Sequence, residues 1–138
     1  MIVIDASVAV KWLCVEIGSD QALALLDAPD GLLAPDIFAV EVAAAVTRKV
    51  RTGEMNGEEA RRACGEWRHS LDAGHVELIP SGALLQPAID LALQIKHPLQ
   101  DCLYVALAQR LDCALATSDP KLAARARTVH PRVAMIGE

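Results

Sequence analysis

The chain has 138 residues, of which 53% are hydrophobic and only 3% aromatic, and its formal net charge is −5. This length predicts one domain, residues 1–138, with a core built of Ala, Leu, Val and Ile. The net negative charge argues against a protein that binds nucleic acid through its overall charge alone. It does not exclude a nucleic-acid enzyme whose site becomes locally positive once it holds a metal ion.

The N-terminal stretch MIVIDASVAVKWLCVE has no basic start, and Asp5 interrupts its apolar run, so it does not resemble a secretory signal. Nowhere do eighteen apolar residues follow one another, which predicts no membrane span. Four scattered cysteines without a C-x-x-C pair indicate reduced thiols packed as small hydrophobes. We therefore expect a cytoplasmic protein that does not enter a membrane.

The first half of the chain alternates short apolar runs with longer helical patterns. In order, the patterns predict a strand at 2–4, helices at 7–14 and 19–28, a strand at 32–35, and helices at 36–53 and 56–74. Ser19 or Asp20, Asp36 and Asn56 stand where helix N-caps are expected, and Gly53 is expected to stop its helix.

The second half continues the alternation with a strand at 76–80, helices at 83–96 and 100–112, a strand at 113–117, a helix at 119–127 and a strand at 132–136. Pro87 marks a start or a kink, and Pro120 suits a first turn. The helix at 100–112 is nearly all apolar, which predicts burial. Strands separated by helices throughout predict an α/β fold with a mainly parallel sheet between helical layers.

Acidic residues stand where open parallel sheets bind their ligands, beyond the carboxyl ends of strands. Asp5 follows the first strand, Asp119 follows the strand at 113–117, and Asp101 opens the helix before that strand. Taken singly, each of the three is explained as well by helix capping or by the favourable helix dipole. Their common location is what favours a functional interpretation.

Glu41 is the one polar residue in the stretch IFAVEVAAAV. In the middle of a helix it would lack both the dipole and the free N–H groups that compensate a charge, and the sequence points to no basic partner. Four carboxylates held close together would raise one another's pKa values unless a cation sat among them. Ligands that are all oxygen favour Mg²⁺ or Mn²⁺ over Zn²⁺.

The segments MIVIDASVAVKW, FAVEVAAAV and QDCLYVALAQRLDCALATSD, in this order and spacing, resemble PIN-domain ribonucleases, and the short length resembles their VapC-type toxins. The resemblance implies a three-layer, Rossmann-like α/β/α domain with a Mg²⁺- or Mn²⁺-dependent endoribonuclease site. Asp5, Glu41 and Asp101 match the three characteristic acids of the family, and Asp119 matches a more variable fourth. Asp5 and Asp101 would be the principal metal ligands, while Glu41 and Asp119 would complete the shell or hold a second ion.

The resemblance also implies supporting residues and partners. Thr117 and Ser118 would support the site by hydrogen bonds rather than act as nucleophiles, and Ser7 matches a small polar residue often found after the first aspartate. The partners implied are an RNA substrate, a small antitoxin protein that blocks the site, and a second copy of the chain in a homodimer.

Other features favour plainer interpretations. The four histidines show no metal-binding spacing and indicate surface or capping roles; they are His69, His75, His97 and His130. Arg61, Arg62 and Arg68 line a polar helix face that is either solvated or in contact with RNA phosphates. No nucleotide-binding loop or serine-hydrolase elbow is present.

Two rival functions fit this sequence less well. A phosphotransfer domain is disfavoured, because the phosphatase pattern needs an aspartate two residues after Asp5, where this chain has Ser7. A receiver domain needs an adjacent acidic pair near its start, which is also missing. A catalytically silent PIN scaffold that binds RNA or protein is the remaining alternative, and the intact set of acids argues against it.

Overall fold

The computed structural model describes residues 1–137, and its centre is a five-stranded sheet in the order β3-β2-β1-β4-β5. The strands are β1 Ile2–Ile4, β2 Leu32–Pro35, β3 Glu77–Ile79, β4 Ala114–Thr117 and β5 Val133–Met135. Every neighbouring pair in this sheet is parallel. The predicted α/β fold with a mainly parallel sheet is therefore confirmed.

Seven α-helices flank the sheet within the described residues: α1 Ala6–Leu13, α2 Ser19–Ala24, α3 Phe38–Arg51, α4 Gly57–Ala73, α5 Leu85–Ile95, α6 Leu99–Leu111 and α7 Pro120–Ala126. Short 3-10 helices at Leu25–Asp27 and Ser81–Leu84 adjoin α2 and α5. No helix in residues 1–137 is long and apolar enough to cross a membrane.

Helix α6 forms the centre of the core, as its apolar sequence predicts. Seven consecutive residues, Cys102 to Ala108, are buried, and the helix packs on β1, β2 and β4. Val3 and Ile4 of β1 are fully buried in the same core. Branched and small side chains supply most of this core, and Tyr104 of α6 and Phe38 are its largest fully buried side chains.

Two predicted helix caps are wrong. Helix α3 begins at Phe38 with Ile37 as its N-cap, and Asp36 stays outside it. The Asp36 backbone N–H donates to the Ile79 carbonyl at 2.8 Å, and its carboxylate accepts from the Ser81 hydroxyl at 2.5 Å, so tertiary contacts have taken the side chain away from the helix. Helix α2 has Gly18, in a left-handed conformation, where Ser19 or Asp20 was expected.

Three other residues mark helix starts as the sequence predicts. Asn56 caps α4 in a reciprocal capping box: its side chain accepts from the Glu59 N–H at 2.8 Å, and the Glu59 carboxylate accepts from the Asn56 N–H. Pro87 lies in the first turn of α5 and marks a start rather than a kink. Pro120 is the first residue of α7, as expected.

The order of the strands creates a crevice between β1 and β4. The chain runs from β1 through β2 to β3 on one side and places β4 and β5 on the other, so the connections from these two strands diverge. The Asp5 N–H donates to the Ala116 carbonyl at 3.2 Å, which extends the β1–β4 pairing by one residue. Asp5 and Thr117 therefore lie side by side at the carboxyl edge, where sheets of this kind bind ligands.

Trp67 secures the start of α3, the helix that carries Glu41. Its side chain is 3% exposed, its indole N–H donates to the Ala39 carbonyl at 3.0 Å, and its ring meets Phe38 edge to face at 5.2 Å. We expect Trp67→Phe to lower the free energy of unfolding by about 1–2 kcal/mol, because it removes a buried hydrogen bond and part of the packing. Urea titration followed by circular dichroism measures this loss.

The control for this experiment is Leu93→Ala on α5, where the side chain is 75% exposed. It should change the free energy of unfolding by no more than about 0.5 kcal/mol. Equal urea midpoints for Trp67→Phe and wild type would contradict the role given to Trp67.

Candidate active site

Asp5 is the most deeply buried acid of the chain's candidate site, with 6% of its surface exposed. One carboxylate oxygen accepts from the Ser7 hydroxyl at 2.5 Å and the other from the Thr117 hydroxyl at 2.7 Å. Asp5 occupies the N-cap position of α1 but makes no side-chain cap hydrogen bond, so capping does not explain it. Burial raises the pKa of Asp5 to about 6 despite both hydroxyls, and the charges of Asp101 and Asp119 add to the rise.

The two hydroxyls that hold Asp5 are themselves held by the loop after β4. Ser7 Oγ accepts from the Ser118 N–H at 2.8 Å, and Thr117 Oγ1 accepts from the Asp119 N–H at 3.0 Å. Each hydroxyl therefore donates to the carboxylate and accepts from the backbone. The Ser118 side chain does not join this network, because its hydroxyl donates to the Ile136 carbonyl at 2.8 Å. Only the backbone of Ser118 supports the site.

Asp119 combines a capping role with a place beside the other acids. Its Oδ1 accepts from the backbone N–H groups of Lys121 at 2.9 Å and Leu122 at 3.4 Å, as expected for the N-cap of α7. Its negative charge also raises the pKa values of Asp5 and Asp101. The capping interpretation is thus correct for Asp119 but does not remove it from the acidic cluster.

Asp101 lies in the first turn of α6, and its carboxylate is held by a histidine that the sequence reasoning missed. Asp101 Oδ2 lies 2.7 Å from His97 Nε2. Burial raises the pKa of Asp101, while the hydrogen bond from His97 opposes that rise. The available signal was the spacing of four residues between His97 and Asp101, whereas His97 was assigned only a surface or capping role.

Glu41 has a neutral partner, which the sequence did not indicate. The Tyr104 hydroxyl donates to Glu41 Oε1 at 2.5 Å, and Tyr104 comes one turn after Asp101 on α6. Burial raises the pKa of Glu41, the Tyr104 hydrogen bond lowers it, and the charge of Asp101 raises it further. The prediction that Glu41 lies mid-helix is wrong, because α3 starts late enough to place it in the first turn.

The structure thus brings Asp5, Asp101 and Asp119 within electrostatic range of one another, and Glu41 within range of Asp101. Each acid has a hydrogen-bond donor of its own, so a cation is not the only group that compensates these charges. Within residues 1–137, no three His, Cys, Asp or Glu side chains are arranged to hold one ion.

The chemistry of these donors nevertheless fits a hard divalent cation. The set is made only of carboxylate oxygens at one sheet edge, which suits Mg²⁺ or Mn²⁺. The pKa values of Asp5, Glu41 and Asp101 remain raised even with their donors in place. A nearby positive charge would lower all three, so the cluster is electrostatically suited to receive one.

Comparison with known proteins gives concordant results. A family model of the PIN domain matches residues 2–128. VapC ribonuclease Mb0985 of Mycobacterium bovis and ribonuclease VapC9 of Mycobacterium tuberculosis are each 31% identical over 122 residues, 88% of this chain and 88% of their own. These matches confirm the resemblance to VapC-type PIN-domain proteins.

Solved structures confirm the fold. PAE2754 from Pyrobaculum aerophilum has a TM-score of 0.64 at 16% identity, over 90% of this chain and 84% of that one. FitAcB from Neisseria gonorrhoeae has a TM-score of 0.63 at 19% identity, over 99% of this chain and 96% of that one. The α/β sheet described above is therefore shared with both.

Replacing Asp5 with Asn should remove a pH-dependent cost from the metal-free protein, because it removes a buried charge and keeps the side chain's size. Its NH2 group cannot accept from one of the two hydroxyls, and that loss is the same at every pH. The folded-state pKa of about 6 lies above the ordinary value of 3.8, so the folded chain binds this proton more tightly than the unfolded chain. The cost of ionising Asp5 is therefore absent below pH 3.8, grows up to about pH 6, and reaches about 3 kcal/mol above it.

Thermal unfolding in EDTA across this pH range measures the difference. The Tm advantage of Asp5→Asn should appear as the pH rises from 4 to 6 and then stay constant. Asp72→Asn, at an exposed position on α4, is the matched control and should show no such pH-dependent advantage. A Tm difference between Asp5→Asn and wild type that is the same at pH 4 and at pH 7 would refute the cost assigned to this carboxylate.

Proposed function

Because this chain belongs to the PIN-domain family, we propose that it is a metal-dependent endoribonuclease of the VapC type, the toxin of a type II toxin–antitoxin pair. The observation that carries the proposal is the buried Asp5 carboxylate in the crevice between β1 and β4, with the charges of Asp101 and Asp119 beside it. A purely structural role would not need a carboxylate there, since Asp5 caps no helix. The names of the two mycobacterial relatives support the ribonuclease class.

Asp5 and Asp101 would be the principal ligands of Mg²⁺ or Mn²⁺, and Glu41 and Asp119 would complete the shell or hold a second ion. The metal would lower the pKa of a bound water and neutralise charge that develops on the phosphate oxygens. The chain's own part is to orient the ligands. Asp101 is positioned by His97, and Glu41 by Tyr104.

The hydroxyls around Asp5 serve as supports. Ser7 and Thr117 fix both oxygens of Asp5 and are fixed in turn by backbone N–H groups, so the carboxylate points in one direction before substrate arrives. Neither hydroxyl is placed as a nucleophile, because each oxygen already accepts a backbone N–H and Thr117 is fully buried. This arrangement favours hydrolysis by a water molecule over covalent catalysis.

The toxin role includes two protein partners, a small antitoxin and a second copy of the chain. Support for a protein contact comes from the segment after α1, where the apolar side chains of Val15 and Ile17 are both strongly exposed. We place the protein in the cytoplasm, where its RNA substrate is found.

The ribonuclease proposal predicts metal-dependent cleavage by the purified protein. Labelled RNA should be cut in the presence of Mg²⁺ or Mn²⁺, and EDTA should stop the reaction. Asp5→Asn and Asp101→Asn should each reduce the rate by at least about 100-fold, because loss of even an outer-shell partner of a metal ligand typically costs 10- to 100-fold. Gel analysis of the products measures these rates.

The control is Asp72→Asn, which removes one exposed carboxylate that is not among the candidate site residues and should leave the rate unchanged. If Asp5→Asn and Asp101→Asn cut as fast as wild type, the site assignment is wrong. If wild type binds RNA without cutting it under any of these conditions, the chain is the silent binding module named as the alternative.

The toxin proposal predicts that expression of this chain alone in a bacterial host stops growth. Asp5→Asn should restore growth at the same level of expression, because it removes a principal ligand while the fold is kept. Asp72→Asn should remain toxic. Normal growth with abundant folded wild-type protein would contradict the toxin role without bearing on the ribonuclease activity itself.

A further inference from the structure

A cavity of about 540 Å³ lies beside the acidic cluster, between the α5–α6 turn and α7. Asp101, Asp119 and His97 line it. Three exposed cationic side chains line it as well: Lys96, Lys121 and Arg125. The cavity therefore places three positive charges next to two of the candidate metal ligands. The proposed metal site assigns no role to these charges.

These three cations have no partner in the folded chain. Within residues 1–137, none of their side chains makes an ion pair or a hydrogen bond. Lys121 and Arg125 are four residues apart on α7, so they lie on the same face of that helix. Lys96 comes from the opposite side of the cavity. The three charges are thus available to an anion.

The cations on the other flank of the site are mostly compensated. A cavity of about 360 Å³ there is lined by Ser7 and by three basic residues, Lys11, Arg48 and Lys49. The ammonium groups of Lys11 and Lys49 pair with Glu16, at 3.3 and 3.4 Å, and within residues 1–137 only the Arg48 side chain of these three makes no ion pair. Two of the three cations on that side are therefore paired with a carboxylate, whereas all three on the α7 side are available to a phosphate.

The backbone of Lys96 allows the ammonium group to be tested separately from the fold. Lys96 ends α5 in a left-handed conformation with φ 52° and ψ 56°, which glycine adopts without strain. The turn precedes His97, which holds Asp101. Replacing Lys96 with glycine therefore removes the positive charge from this turn without straining its backbone.

We propose that this cavity holds a backbone phosphate of the substrate next to the scissile one and does so without reading the bases. The assignment rests on the proposed ribonuclease function. No Trp, Tyr, Phe, Asn or Gln lines the cavity, and its one ring, that of His97, is hydrogen-bonded to Asp101. Apart from His97 this lining therefore has no aromatic stacking platform, and it has no side-chain amide to pair with a base edge, whereas its three cations can bind phosphate.

The test uses three variants that each remove one cation, namely Lys96→Gly, Lys121→Gln and Arg125→Gln. The matched control is Arg110→Gln, which removes an exposed cation in the last turn of α6, at the opposite end of this helix from Asp101. KM and kcat are measured with Mg²⁺ on two single-stranded RNAs of different sequence. RNA affinity is measured by fluorescence anisotropy in the Asp5→Asn background at several salt concentrations.

Each variant should raise KM roughly 10-fold with little change in kcat, because it removes binding shared by ground state and transition state. Its salt dependence, the slope of log affinity against log salt, should fall by about 0.7 to 1, and both RNAs should be affected equally. Lys96→Gly should unfold at the same temperature as wild type or higher, since glycine suits this backbone. That result separates loss of the ammonium group from loss of the fold.

If wild type cuts RNA but the three variants behave like Arg110→Gln, or if their effects differ between the two sequences, the phosphate assignment is overturned and the ribonuclease function stands. If wild type cuts no RNA, the proposed function fails and the affinity measurements decide the cavity. Weaker binding in all three variants then supports a phosphate site on a non-cutting scaffold. Unchanged or absent RNA binding overturns it.

Discussion

The structure depends on one arrangement, a carboxylate buried between the ends of two parallel strands and held by two hydroxyls. Asp5 follows β1 directly, Thr117 ends β4, and Ser7 lies in the first turn of the helix after Asp5. Each hydroxyl donates to the carboxylate and accepts a backbone N–H from the loop after β4. The charge of Asp5 is therefore compensated only while both strands and that loop keep their positions. The geometry of the site thus depends on the packing of the core.

Helix α6 extends this coupling, because it serves the core and the site at once. Its central residues are buried against the sheet, while Asp101 in its first turn and Tyr104 one turn later face the acidic cluster. Burial raises the pKa of Tyr104, and the neighbouring acids raise it further, so the phenol stays neutral and keeps donating to Glu41. A neutral donor limits the pKa rise of Glu41 without adding a positive charge that would compete with a metal ion.

Charge is distributed so that a chain with a net charge of −5 still has a local concentration of positive charge beside its acids. The acids gather at the carboxyl edge of the sheet, and unpaired cations lie beside them on α7 and on the α5–α6 turn. Electrostatic attraction to a phosphate falls off within about a Debye length, so the local pattern matters more than the sum over the chain. The arginines of α4 contribute less to such a pattern, since Arg61 and Arg62 line cavities that contain none of the four acids.

The sequence by itself determined the parallel α/β sheet, the buried helix α6 and the acids that stand at strand ends. These features follow from short apolar runs and from helical periodicity, which are properties of residues near one another in the chain. Only the tertiary structure decided what holds those acids. Thr117 is 112 residues from Asp5, and Tyr104 is 63 residues from Glu41. Asp36, which looks like a cap in the sequence, is drawn to Ser81 by the pairing of β2 with β3. These hydrogen-bond partners depend on which strands and helices lie side by side in the folded chain, and no local sequence pattern predicts that arrangement.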